Sequence, residues 1–277
     1  MNYESERLSY MELDILIVII LNFIITIMGT LAYSVRMVGV RTGKIAVSAA
    51  LFNAISLISR TAGAFQLPKL TKYVEESAKG AHSQNNLLFL FHMLLLNVFI
   101  ASIIGALLLP TFQRIFTKGV EAFSTDKSIF RLILHSFTKS GIKYIKNSVA
   151  IPTKTNFKGV SLKKLPKRIL VYNMATVALL TAGTFAPVYA GSLQPDLSGT
   201  CVTLSAVITG MASILLALFV DPHLSVLTDE VIEGKYSEAD YRGCVIGMVG
   251  SKIAGSVLSF AVFLPAAYLI VFIARFI

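Results

Sequence analysis

Six separate runs of about 20 apolar residues constrain the fold of this chain more than any other feature, because a helix needs about that length to cross the hydrocarbon core of a bilayer. Only 14% of the 277 residues are charged, whereas an ordinary soluble domain has about 25%. This composition excludes a soluble globular enzyme, and the length of the runs excludes a membrane β-barrel, whose strands are shorter and alternate. The runs are residues 15–35, 45–67, 87–109, 169–190, 202–220 and 245–273.

A strongly basic segment, residues 112–168, separates the third run from the fourth. It holds thirteen Lys and Arg residues against Glu121 and Asp126, so the net charge of the whole chain, +10, arises here. Lys and Arg near the ends of spans stay in the cytoplasm, and a basic loop beside a membrane attracts anionic lipids. The segment therefore predicts anionic membrane lipids as partners and requires no nucleic acid.

The placement of the cations also predicts an orientation. The first loop contains Arg36, Arg41 and Lys44, so it lies in the cytoplasm together with the basic segment, and both termini lie outside. We expect residues 1–277 to form a single all-α polytopic membrane domain of about six transmembrane helices, with residues 112–168 as a cytoplasmic or interfacial loop within it. Three spans followed by three spans also fit two inverted three-helix halves.

Shorter helices are expected on the cytoplasmic side. Residues 128–147 of the basic segment place apolar side chains on one face and cations elsewhere, which is typical of an amphipathic helix in the membrane interface. In the fifth loop, Asp221 is expected to cap a helix that Gly234 ends, and Ser237 with Asp240 starts the last helix ahead of the bilayer. The acidic side chains of this loop either pair with cytoplasmic cations as a gate or form a solvated helix face, and we prefer the solvated face.

Polar and small residues form one narrow stripe on each of the first two spans, at the spacing that keeps them on one helix face. Each stripe includes one Arg, and a central Arg or Lys in hydrocarbon costs about 2.5–3.5 kcal/mol. Such a stripe either serves helix packing, with the Arg reaching to an interface, or lines a polar path. The stripes are Asn22, Thr26, Gly29, Tyr33 and Arg36 on the first span, and Ala49, Asn53, Ser56, Arg60 and Gly63 on the second.

The sixth span combines a face of small residues with a single Lys. Small residues at every fourth position favour close helix packing. Lys252 stands beside them, deep enough to line a cavity and near enough to the cytoplasm to reach water. The small residues are Gly247, Ser251, Gly255 and Ser259.

Signatures of catalysis are absent from the sequence. It contains no His-Glu-x-x-His, no Gly-x-Ser-x-Gly, no Gly-x-x-x-x-Gly-Lys-Ser/Thr phosphate loop and no Cys/His metal spacing. We therefore expect a transporter rather than an enzyme, with no ATPase site of its own, no cofactor and no bound metal. Aligned cations suit an anionic, amphipathic substrate, because guanidinium groups bind phosphate oxygens in pairs.

The stretch from Thr30 to Gly63, TLAYSVRMVGVRTGKIAVSAALFNAISLISRTAG, resembles the signature of the Amj family. The chain length, the long basic loop and the segment at 221–229 are consistent with this family elsewhere. The resemblance implies a lipid II flippase of the bacterial cytoplasmic membrane, an alternative to the unrelated MurJ flippase. Such a protein moves the undecaprenyl-diphosphate-linked disaccharide pentapeptide from the inner to the outer leaflet for peptidoglycan synthesis, which builds the cell wall and sets cell shape.

On this basis we expect the diphosphate to follow a cationic, polar path. Cations of the first loop would receive it at the cytoplasmic mouth, Arg60 would meet it nearer the exit, and Lys252 would form the opposite wall. The polyprenyl tail would stay in lipid. Six helices are few to enclose so large a head group, so a homodimer is expected, with residues 247–259 as one contact. The expected substrate-binding residues are Asn22, Tyr33, Arg36, Arg41, Lys44, Asn53, Arg60 and Lys252.

Two other functions fit the same residues. An ion-coupled exporter of a small anion would use the same Arg and Lys groups but would require an occluded pocket. A membrane scaffold that transports nothing would bind a cytoplasmic partner or lipid through its basic loop, and its polar stripes would serve helix packing alone.

Overall fold

The computed structural model of the protein describes residues 2–77, 84–126, 138–153 and 167–277. All regular structure in these ranges is helical, and six helical segments are long and apolar enough to cross a membrane. The prediction of an all-α polytopic fold with six spans is thereby confirmed. The helices are α1 (Asn2–Thr42), α2 (Ile45–Glu76), α3 (Gln84–Asp126), α4 (Lys139–Ser148), α5 (Lys167–Leu193), α6 (Ser198–Thr203), α7 (Ser205–Leu215), α8 (Asp221–Ile232) and α9 (Glu238–Ala274).

A tight turn joins α1 to α2 and brings the two polar stripes side by side. Gly43 adopts a φ of 65°, a left-handed conformation that glycine adopts at little cost. The amide of Gly43 donates to the carbonyl of Val40, and the amide of Lys44 donates to the carbonyl of Gly39, so two of the last four carbonyls of α1 are satisfied. The two helices therefore run antiparallel from one end of the protein, here called the inner end.

Two apolar clusters hold the bundle together and leave space between them. Away from the inner end, the ring of Phe91 on α3 lies 5.4 Å from that of Tyr189 on α5 and 5.5 Å from that of Phe263 on α9. Near the inner end, Tyr241 and Met37 belong to a second buried cluster, to which α1, α8 and α9 contribute. Both clusters are built from helices that also carry the polar residues of the predicted path.

The fifth span, Pro195–Ile232, is an interrupted helix. A π-helical segment, Leu216–Val220, connects α7 directly to α8. The predicted N-cap at Asp221 is therefore wrong, because Asp221 is itself the first residue of α8 and the helix continues into it from the π-helical segment. Gly234, with a φ of 74°, follows the end of α8 as predicted. Ser237 caps α9, as predicted, by accepting a hydrogen bond from the amide of Asp240.

The small-residue face of α9 packs inside the chain, against α5. A Cβ atom on Gly255 would lie 2.6 Å from the carbonyl oxygen of Met174, closer than two such atoms can approach. Ser251 and Ser259 on the same face are buried. The expectation that residues 247–259 form a dimer contact is therefore wrong, because α5 already covers this face. The homodimer itself stays a prediction.

Two further expectations are not settled by the fold. The structure describes α4 from Lys139, with Thr138 as its N-cap, whereas residues 128–137 of the expected amphipathic helix are outside the described residues. That helix as a whole and the two inverted halves stay predictions.

Replacing Gly255 with Ala should destabilise the protein by about 1–3 kcal/mol, the usual cost of overpacking a tight site. The matched control is Gly250→Ala on the same helix, because a Cβ atom there would have no neighbour within 4 Å. Alanine is the better helix former by about 0.5–1 kcal/mol, so the control should be neutral or more stable. Unfolding of the purified variants in detergent measures both effects, and equal stabilities would contradict the packing described.

Candidate functional site

A cavity of about 740 Å³, here called the central cavity, lies between α1, α2, α5, α9 and the inner part of the fifth span. It is lined along α1 from Asn22 to Arg36, so at about 1.5 Å of rise per residue it follows the helix for about 20 Å. This length is most of the hydrocarbon thickness of a bilayer, about 30 Å. Six of the eight predicted site residues line it: Asn22, Tyr33, Arg36, Asn53, Arg60 and Lys252.

Lys252 brings a buried amino group, which can carry a positive charge, into the central cavity. The residue is 8% exposed, and its ammonium donates one hydrogen bond, of 3.3 Å, to the carbonyl of Thr26. The ammonium also lies 5.9 Å from the centre of the Tyr33 ring, a cation–π distance. Within the described ranges no carboxylate pairs with it. Burying an ammonium without a counter-charge is costly, so this position favours an anion in the cavity.

The first polar stripe leaves room for this ammonium. A Cβ atom on Gly29 would lie 3.0 Å from the Lys252 nitrogen, so the missing side chain of Gly29 creates the space. Gly29 and Thr26 precede Arg36 on α1 and lie about 10–15 Å further from the inner end than Arg36 does. The amino group of Lys252 therefore lies deeper in the cavity than the guanidinium of Arg36.

A hydrogen-bond network fixes Tyr33 beside Lys252. The Tyr33 hydroxyl donates to the side-chain carbonyl of Asn173 at 2.9 Å. The amide of Asn173 donates to the carbonyl of Met248 at 3.1 Å and to the hydroxyl of Ser251 at 2.7 Å. Asn173 is fully buried, so α1, α5 and α9 are joined at the cavity wall by one satisfied side chain.

Asn22 is engaged in helix packing as well as lining the cavity. Its side-chain amide donates to the carbonyl of Leu94 at 3.2 Å and to the side-chain carbonyl of Asn97 at 3.0 Å. Both hydrogens of the amide are therefore used by α3. Only the carbonyl oxygen of Asn22 remains to contact a bound molecule.

Arg36 occupies the inner end of the cavity and is paired with the fifth span. One terminal nitrogen lies 2.9 Å from a carboxylate oxygen of Asp221, and the other donates to the Asp221 backbone carbonyl and to the hydroxyl of Ser225. The side chains are 31% and 49% exposed, so the pair lies at an open mouth of the cavity. Asp221 is thus part of an ion pair and not of a solvated face, the interpretation preferred from the sequence.

Arg60 and Asn53 line the cavity from α2, and both are exposed side chains. In the part of the chain that the structure describes, the guanidinium of Arg60 has no hydrogen bond and no ion pair. Arg60 lies fifteen residues into α2, about 22 Å from its start. It is therefore at about the depth of Lys252, on a different wall.

Sequence reasoning missed several further polar residues of the cavity, namely Gln66, Asn173, Thr176, Thr181 and Thr184. Thr176 and Gln66 are 1% and 5% exposed, and the Thr176 hydroxyl and the Gln66 amide nitrogen have no partner in the structure. Thr176 and Thr184 follow Asn173 by three and eleven residues on α5, so all three lie on one helix face. The fourth span therefore contained a polar stripe like those of the first two spans.

Arg41 and Lys44 do not line the central cavity. The Arg41 guanidinium lies 2.8 Å from a carboxylate oxygen of Glu238 and also donates to the side chain of Gln113. Lys44 is in the turn between α1 and α2, at the position that precedes α2. The structure therefore separates these two predicted cations from the other six residues.

Two comparisons match this chain to known proteins. A family model described as "Amj: Alternate to MurJ" matches residues 21–274, which run from within α1 to the end of α9. The protein named lipid II flippase Amj from Bacillus subtilis (strain 168) is 34% identical over 247 residues, which cover 89% of this chain and 91% of that relative. No solved structure matches.

Replacing Tyr33 with Phe should lower the free energy of unfolding by about 1–3 kcal/mol, because it leaves the buried carbonyl of Asn173 without its donor. Tyr172→Phe is the matched control: this tyrosine of α5 is exposed, its ring lies beside that of Phe219, and its hydroxyl has no hydrogen bond among the described residues. Unfolding of both variants in detergent measures the difference. Equal losses would show that the Tyr33–Asn173 bond contributes nothing.

Proposed function

The chain belongs to the Amj family, and from this premise we propose that it is a lipid II flippase in which the diphosphate of the head group moves along the central cavity. The relative from Bacillus subtilis is named for that activity. A multi-pass membrane protein with a polar cavity about 20 Å long suits a substrate whose head group is polar and whose tail is a hydrocarbon.

The unpaired ammonium of Lys252 is the observation that carries this proposal. Charged side chains inside the membrane are rare and mark functional sites. A diphosphate supplies the missing negative charge, and in a low-dielectric cavity the attraction is stronger than in water. The unpartnered donors of Thr176 and Gln66 support the same conclusion, because a buried donor without an acceptor is costly.

Entry begins at the ion pair between Arg36 and Asp221. Arg41 and Lys44 attract the diphosphate to the inner end, which is the cytoplasmic side in the proposed orientation. The diphosphate then displaces the Asp221 carboxylate from Arg36, because a guanidinium binds phosphate oxygens as readily as carboxylate oxygens. The pair thereby acts as a gate that a suitable anion opens.

Lys252 and Arg60 take over deeper in the cavity. They lie at about the same depth on different walls, about 10–15 Å from the level of Arg36. Asn53, Thr176 and Gln66 offer hydrogen bonds to sugar or peptide, and Asn22 offers its carbonyl oxygen. The path thus presents a cation at its mouth and two cations near the middle of the membrane.

The polyprenyl tail remains in the surrounding lipid. Of the six spans, α2 and the fifth are the least buried, with 18% and 6% of their most apolar windows buried in the protein. They line the cavity on separate sides and, in the described residues, are not extensively packed against each other. The proposed lateral opening for the tail is between these two spans.

The other two functions account for fewer of these observations. A cavity of about 740 Å³ is in the range that holds drug-sized ligands, about 300–1,000 Å³, and a small inorganic anion needs far less. A scaffold needs no buried ammonium and no unpartnered donors around a cavity. Both alternatives remain distinguishable by experiment.

Lys252→Met should abolish most transport without destabilising the protein. Methionine is unbranched and only one atom shorter than lysine, and replacing a buried charge with an apolar side chain is often neutral or stabilising. Losing a charge-assisted contact worth about 1.5–3 kcal/mol should lower the rate about 10- to 100-fold. Arg36→Ala and Arg60→Ala should also lower it.

The measurement is the appearance of lipid II in the outer leaflet of cells that have no other flippase. Arg275→Gln is the matched control, because Arg275 is bonded to Gln194 at the other end of the protein, outside the cavity. A stable Lys252→Met variant that transports like the original would exclude the cationic path. Loss of transport only on truncation of α4 would favour the scaffold.

Asp221→Asn should strengthen binding of undecaprenyl diphosphate by up to about 5-fold, since a partly exposed ion pair contributes about 0.2–1 kcal/mol and the substitution removes this competitor for Arg36. Glu233→Gln is the matched control: Glu233 is exposed and pairs with the nearby Lys235. Titration of the purified protein in detergent measures the affinity. Unchanged or weaker binding by Asp221→Asn, relative to the control, would show that Asp221 is not displaced by the diphosphate.

A further inference from the structure

A second cavity, of about 920 Å³, opens at the inner end and shares no lining residue with the central cavity. It lies between α3, α4, the last turn of α1 and the first turns of α9, and we call it the inner-end cavity. Among the residues that the structure describes, four cations line it and no Asp or Glu does. They are Arg41, Arg114, Lys118 and Arg242.

We infer that the inner-end cavity is a binding site for the phosphate group of a membrane lipid. Only two of its cations have carboxylate partners in the described parts of the chain: Lys118 lies 3.0 Å from Glu121, and Arg41 pairs with Glu238. Arg114 and Arg242 have no carboxylate partner among the described residues. The Nε atom of Arg242 is buried and has no hydrogen-bond partner, which is costly for a charged group.

The cavity wall is already formed without a ligand. The Thr111 hydroxyl accepts from the amide of Ala150 and donates to its carbonyl, both at 2.9 Å. The Tyr144 hydroxyl donates to the carbonyl of Arg114 at 3.1 Å. These bonds fix α4 and the residues after it against α3. The cations are therefore already close together, and less conformational entropy is lost when an anion binds.

The chemistry of the lining selects a phosphate ester. Guanidinium groups bind two phosphate oxygens at once, and two unpaired guanidiniums from different helices can hold one phosphate or diphosphate between them. Like charges in one cavity repel each other, and an anion removes that repulsion. The site thus differs from the exposed cations of α4, which attract an anionic membrane without a defined pocket.

Exposed apolar side chains beside the cavity indicate that the phosphate is attached to a lipid. Ile151 lines the cavity and is 72% exposed. Ile142 and Ile145 on α4 are also exposed. Apolar side chains at the level of the head groups contact acyl chains favourably. Both an anionic phospholipid and the diphosphate lipid of the proposed transport carry this combination of phosphate and hydrocarbon.

The test measures lipid retention by native mass spectrometry, and it does not depend on transport. The full-length protein is placed in phosphatidylcholine vesicles that contain either phosphatidylglycerol or undecaprenyl diphosphate. Arg114→Gln with Arg242→Gln should reduce the retained anionic lipid at least about 10-fold, as expected for the loss of charge-assisted contacts. Lys139→Gln with Lys143→Gln, which removes the same charge from exposed positions on α4 outside both cavities, should leave retention unchanged.

The outcomes distinguish the lipid sources and the alternatives. A loss with both lipids supports a general phosphate site, and a loss with undecaprenyl diphosphate alone supports a loading site for the transported lipid. No loss, or an equal loss in the α4 control, would overturn the inference in favour of attraction by net charge. If the double variant does not fold, Arg114→Gln alone is used to test the inference, because that side chain is exposed and its replacement should not affect folding. Lys252→Met should retain the lipid of the inner-end cavity normally, so failure of the transport proposal would leave this result unaffected.

Discussion

Burying an ammonium group among apolar helices costs free energy, and polar groups in the wall of the central cavity offset part of that cost. The ammonium of Lys252 donates a hydrogen bond to one backbone carbonyl of α1 and lies over one aromatic ring, and both groups belong to the polar stripe of α1. Asn173 holds that ring in place by accepting a hydrogen bond from the hydroxyl of Tyr33. These contacts position the charge without neutralising it. No carboxylate among the described residues supplies the opposite charge, and this is why we propose that an anion binds there.

The inner end separates two groups of cations that are adjacent in sequence. Arg36 and Arg41 are five residues apart, and the sequence placed both in a loop. In the structure α1 continues to Thr42, so both are helical and their side chains point about 140° apart. One faces the central cavity and the other the inner-end cavity. A single basic cluster in the sequence therefore becomes two sites because a helix, not a loop, carries it.

The sequence predicted the spans and much of the cavity because both depend on local patterns. Apolar runs give the six spans, although α3 extends to Asp126, well past the run at 87–109, since a helix continues into water once it has formed. One-face spacing identified Tyr33, Arg36, Asn53 and Arg60. The pairing of Arg36 with Asp221 was not predictable in this way, because it joins residues far apart in the chain and depends on an irregular turn.

That turn, the π-helical segment Leu216–Val220, has a consequence for the fifth span. A π turn holds one more residue than an α turn, so every side chain after it is rotated by about 100° relative to a continuous α-helix. A helical wheel drawn from α7 thus assigns the wrong faces to α8. Shortening the segment by one residue would leave the hydrophobicity of the span almost intact, yet it would swing the Asp221 carboxylate off the cavity and leave Arg36 without its partner.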